Sequence, residues 1–189
     1  MKEIELPSHI IGQSLGGTPL PSLEVAVANA TQARKNGNKV ILAGLYIERE
    51  LEHVIGFYLY PGPDITEQQR FFADHILSSD ALTFSHKRRM FLALVDSKKL
   101  VSGKARADLE SLLRKAMSSR NAFAHGDIVE RSGGTFLIYF EGARKEQKLT
   151  TDYWDGVVAS FRSLEKQIGE IKAGLGMPGP SKWPDKPAT

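Results

Sequence analysis

Apolar residues recur at helical spacing along most of this chain and switch to a strand-like pattern in one place. From Ser22, an N-cap after Pro21, the segment LEVAVANATQARK predicts a first helix that stops at Asn36-Gly37-Asn38. A long second helix runs from about Lys39 to Tyr60 and closes at Pro61-Gly62-Pro63. Thr66-x-x-Gln69 has the form of a capping box and opens a third helix through Ile76. Ser85 opens a fourth over HKRRMFLALVDSKK. Residues 103–123 make a fifth, with Leu109, Leu112, Leu113, Ala116 and Met117 at helical spacing. Ser132-Gly133-Gly134 then signals a turn, and the β-branched and aromatic run TFLIYF predicts a small hairpin or meander over about 127–150. Thr151 caps a last helix, DYWDGVVASFRSLEKQIGEIKAGL.

The expected fold class is therefore mainly α, one helical domain over residues 22–175 with a β insertion before its last helix. Residues 1–21, with Pro7, Pro19 and Gly16-Gly17, read as an irregular lead-in. Residues 176–189 hold four of the nine prolines and read as a disordered tail.

Composition narrows the chemistry. The 189 residues are 41% hydrophobic and 25% charged, as in an ordinary globular domain. Cysteine is absent, which excludes disulfides, thiol nucleophiles and thiolate metal sites. Charge interrupts every apolar stretch, so no segment is expected to span a bilayer. MKEIELPSHIIG lacks the apolar core of a signal peptide, and the expected location is the cytoplasm. The net charge of +3 is mildly favourable to a polyanion and far from a basic nucleic-acid arm.

Two helices break their own pattern. With Ile41 at zero and about 100° per residue, Ile47, Leu51, Val54, Ile55, Tyr58 and Leu59 span an arc from roughly 220° through 0°, extended by Leu45 to about 40°. Glu48, at about 340°, and Glu52, at about 20°, fall inside it. Either these glutamates sit at a wet edge, or they face the core and need a partner, because an isolated buried charge costs several kcal/mol. On the fifth helix, with Leu109 at zero, Arg120 falls at about 20°, in the middle of the stripe. An inward arginine demands a carboxylate, and Glu48 and Glu52 are the acids on offer. That pairing is read either as a register-fixing ion pair or as part of a site.

Arg120-Asn121-Ala122-Phe123-Ala124-His125-Gly126 places a histidine five positions after the arginine, where Gly126 should end the helix. On a continuous helix the two lie about 140° apart, so they converge only if the helix loosens near Ala124. A lone histidine at a helix end is usually a dipole-favourable residue. Arginine, asparagine and histidine together supply a fixed cation, an amide and a group titrating near neutrality, a set suited to metal-free proton transfer at a phosphodiester.

RNAFAHG resembles the Arg-x4–6-His motif of the HEPN superfamily, including the polar residue directly after the arginine. The stretch LTFSHKRRMFLALVDSKKLVSGKARADLESLLRKAMSSRNAFAH is similar to the bacterial branch that contains mannitol-operon repressor-type regulators, and the likeness covers about residues 39–126. The resemblance implies an up-and-down helical bundle that commonly dimerises and brings two motifs into one cleft. It implies Arg120 and His125 as catalytic pair, Asn121 as supporting polar residue, and Glu48 or Glu52 as acidic partner. The insertion at 127–150 departs from the pattern and either covers the cleft or creates a partner surface.

Other signals carry less. GQSLGG at 12–17 follows no strand and lacks GK[ST], so it is not read as a phosphate loop. His53 is read as facing away from the stripe, and no metal or cofactor site is expected. His86-Lys87-Arg88-Arg89 reads as a solvated basic first turn, and Tyr153 and Trp154 as core anchors. Two functions of different class remain. One is an endoribonuclease of toxin or defence type, leaving 2′,3′-cyclic phosphate and 5′-OH ends. The other is a non-enzymatic dimeric regulatory module. The expected partners are a second copy of the chain, RNA, and an antitoxin or regulatory protein, with no membrane.

Overall fold

The structure is a computed structural model that describes residues 22–61, 66–79 and 82–177. The lead-in, the GQSLGG run and all but the first two residues of the tail lie outside the described residues. Helix α1 (Leu23–Leu59) is continuous over 37 residues, so the expected stop at Asn36-Gly37-Asn38 is not made. Gly37 is buried at a helix crossing: a Cβ there would lie 2.7 Å from Phe123 Cδ1. Tertiary packing overrides a glycine cost of about 1 kcal/mol in a helix interior. The N-cap is the expected one, Ser22 Oγ accepting from Val25 N at 3.4 Å.

The capping box of α2 (Glu67–Phe72) forms as read. Thr66 Oγ1 accepts from Gln69 N at 3.2 Å, and Gln69 Oε1 accepts from Thr66 N at 2.6 Å. Buried Gln69 also donates to Tyr60 O, tying the box to the end of α1. The helix continues as a π-helical turn, Ala73–Leu77. Helix α3 (Phe84–Ser97) is capped by Thr83, two residues before the expected Ser85. Helix α4 (Gly103–His125) runs two residues past its expected end.

Strands β1 (Asp127–Arg131), β2 (Gly134–Glu141) and β3 (Ala143–Lys148) form an antiparallel meander in the order β1-β2-β3. Asp127 pairs with Ile138 and Phe136 with Lys148. Leu137 is the sheet residue buried against the helices. Helix α5 (Thr151–Gly174) begins one residue before the reading, with Thr150 rather than Thr151 as N-cap. The architecture is thus a mainly α-helical bundle with a small three-stranded meander before its last helix.

The core lies between α1, α3, α4 and α5. Ile47, Leu51, Val54, Phe91, Val95, Leu109, Leu113 and Leu164 have no exposed surface. Leu45 and Leu59, together at one end of the expected apolar arc, are instead exposed. Among the described residues no helix is long and apolar enough to cross a membrane.

Candidate functional site

Glu48 and Glu52 do turn inward, with side chains only 13% and 15% exposed, but their partner is not Arg120. Both bind Lys87 on the first turn of α3, at 2.8 Å and 2.6 Å. Two carboxylates one helical turn apart repel each other unless a cation lies between them. Lys87, buried at 5% exposure, is that cation. Burial opposes its charge, yet the hydrogen bonds to Glu48 and Glu52 outweigh this and raise its pKa above the ordinary lysine value. The basic run is corrected by the same observation: Lys87 and Arg88 are buried, and only His86 and Arg89 are exposed.

Arg120 is half-buried, its stem laid on Gly44 of α1. Its Nη1 donates to Asn121 Oδ1 at 2.9 Å, and its Nε is buried with no hydrogen-bond partner. The expected ion pair with Glu48 or Glu52 is not made, and Lys87 of α3 takes both acids instead. Asn121 and His125 are exposed. The helix is regular α through His125, so the loosening near Ala124 is absent. Within one chain Arg120 and His125 therefore point about 140° apart.

Gly126 does end α4, for a steric reason rather than a left-handed one. Its φ is −99°, and a Cβ there would meet Ala122 O and lie 2.8 Å from Ile138 O. The turn from helix into β1 is tight enough to admit only hydrogen at that position. The meander is thereby anchored against the last turns of α4, beside the RNAFAH segment. Ser118 Oγ adds a second tie, donating to Glu141 of β2 at 2.6 Å.

His53 also departs from its reading. It is 9% exposed, with Nδ1 3.4 Å from Glu50 Oε1. Glu50 accepts from Lys172 Nζ of α5 at 2.8 Å as well. The histidine and then the lysine, working against burial, lower the Glu50 carboxyl to about 2. One apolar stripe does not describe α1, because α3, α4, α5 and β1 all pack against it.

Tyr153 and Trp154 are core anchors as expected. They pack with Phe123 at ring distances of 6.4 Å and 5.4 Å. No group of three or more metal-ligating side chains occurs among the described residues. The feature that the sequence reading missed is a cavity of about 500 Å³ on the sheet side of α4, to which Arg88 and Tyr153 contribute. Its one sequence signal was the charge run on α3, which on a helix must send some cations inward. Comparison of the chain with known protein families, with curated proteins and with solved structures finds no match.

Proposed function

We propose that this chain is a cytoplasmic, metal-independent endoribonuclease of the HEPN type, with Arg120, Asn121 and His125 at its site and a homodimer as its working form. The observation that carries the reading is the state of Arg120. An inward arginine is ordinarily explained by a structural ion pair. Here Lys87 takes both candidate acids, and among the described residues Arg120 keeps only an amide oxygen. A half-buried guanidinium without a counter-charge is suited to bind a phosphate oxygen through charge-assisted hydrogen bonds.

The chemistry needs two roles. The His125 imidazole takes the proton of a ribose 2′-OH, and the 2′-oxygen attacks the adjacent phosphorus. Arg120 stabilises the charge that builds on the phosphate oxygens while the 5′-oxygen leaves with a proton from water, and the His125 imidazolium returns its proton to solvent. The products are a 2′,3′-cyclic phosphate and a 5′-OH.

The divergence of Arg120 and His125 on one regular helix favours a site shared across a dimer, with the arginine of one protomer facing the histidine of the other. Leu42, Leu45 and Tyr46, 65%, 43% and 51% exposed on the side of α1 away from Gly44, offer an apolar surface for the second copy. The same divergence also supports a second reading, a dimeric regulatory module in which no RNA is cut and a protein partner, such as an antitoxin, is bound. Incubating the purified chain with single-stranded RNA in EDTA separates the two. The ribonuclease yields cyclic-phosphate and 5′-OH ends, and the regulatory module leaves the RNA intact.

A further inference from the structure

We infer that the cavity between α4 and the meander binds a small phosphate monoester. It is lined by residues of α3, α4, β2, β3 and α5, with Arg88, Arg114 and Lys115 against the single carboxylate of Glu141. That carboxylate is already satisfied, accepting from Ser118 Oγ at 2.6 Å and from Lys145 Nζ at 2.6 Å. Arg114 is held by Glu110 at 2.5 Å, and Lys115 Nζ donates only to Gly156 O, at 3.4 Å.

Arg88 is the anomaly. It is 9% exposed, its Nε is buried with no hydrogen-bond partner, and no ion pair to it forms among the described residues. Burial, then the neighbouring Arg114, outweigh the attraction of Glu110 and lower the pKa of Arg88 below the ordinary arginine value. Glu110 is already held by Arg106 and Arg114, so a counter-anion of its own is the chemistry that the nine-tenths-buried Arg88 lacks. Hydroxyls complete a phosphate environment: Ser119, Tyr139 and Tyr153 also line the space. Burial pushes the Tyr153 phenol up to about 12, so near neutral pH it remains a hydrogen-bond donor. About 500 Å³ lies within the range of small-ligand pockets and leaves room beyond a phosphate for the rest of a small monoester.

Neither Arg120, Asn121 nor His125 lines the cavity, although Ala122 between them does. Ser118, in the cavity wall, lies about 160° round α4 from Arg120. The test is calorimetric titration of the full chain at constant ionic strength with inorganic phosphate, with AMP, and with adenosine. Saturable binding of phosphate and AMP is expected, with none of adenosine. Tighter AMP binding identifies a mononucleotide as the natural ligand, and equal affinities identify the phosphate group alone. Arg88→Met should bind about tenfold or more weaker yet melt no lower than the parent, since it removes a buried unpaired charge. Lys115→Met, at an exposed position, should also weaken binding and keeps the test open if Arg88→Met does not fold. Absence of saturation at millimolar phosphate and AMP, native affinity in both variants, or adenosine binding as well as AMP would overturn the site. RNA cleavage is not a readout here, so failure leaves the ribonuclease reading untouched.

Discussion

The stem of Arg120 occupies the space that a side chain at Gly44 would need: a Cβ on Gly44 would lie 2.7 Å from both Cβ and Cγ of Arg120. The glycine therefore sets how closely α4 approaches α1 and where the guanidinium sits. Gly44→Ala should destabilise by about 1–2 kcal/mol, because overpacking outweighs the gain of about 0.5–1 kcal/mol that alanine brings to a helix interior. Gly156→Ala in α5, where a Cβ meets nothing within 4 Å, should instead gain about 0.5–1 kcal/mol. Urea denaturation of both variants checks the contact, and equal stabilisation by both would contradict it.

Lys87 should matter more to stability than Arg120. Lys87→Met leaves two inward carboxylates without their cation and should cost about 3–5 kcal/mol. Arg120→Ala strands no acid and should cost about 1–2 kcal/mol, mainly lost stem packing. Thermal melting of the two variants gives the order. Lys87→Met combined with Glu48→Gln and Glu52→Gln should recover much of the loss, and no recovery would mean that the triad is not what holds α1 to α3.

Some ends of the elements were legible because they depend on local signals. The Thr66–Gln69 box and the cap at Ser22 are satisfied by neighbours within a few residues. Gly37 was not legible as part of a helix, since what explains it is Phe123, far along the chain. The wheel offered an inward position for Glu48 and Glu52 as one of two readings, and it did not give their partner. The wheel places a residue on a face without saying which helix covers that face. Lys87 and Arg88 were hidden for a related reason: a run of four basic residues spans every direction around a helix, so some must point inward. His53 fails similarly, on a helix covered from several sides.

Acid should loosen the contact between α1 and α5. The Glu50 carboxyl titrates at about 2 in the folded chain against 4.5 ordinarily, so the unfolded chain binds its proton first as pH falls. Its contribution to stability, roughly 1–3 kcal/mol after solvent screening, is present above pH 4.5 and is lost as pH falls from there towards 2. Glu50→Gln should flatten the decline of stability over that range. An unchanged slope would remove Glu50 as its source.

A composite site makes a distinctive complementation prediction. Arg120→Ala and His125→Ala chains should each be inactive alone. After subunit exchange, mixed dimers hold one intact pair, and cleavage should return to about a quarter of the native level. Verified exchange without recovery would place both residues of a working pair on one chain.

The most direct measurement is the rate of RNA cleavage by purified His125→Ala in EDTA, beside the parent and with melting temperatures recorded for both. The exposed histidine at the end of α4 contributes at most about 1 kcal/mol to stability, so the variant should fold and melt close to the parent. Loss of general acid–base help should nevertheless slow cleavage by about 100-fold or more. Undiminished cleavage by the folded variant, or no cleavage by the parent, would contradict the assignment of Arg120, Asn121 and His125 as a ribonuclease site.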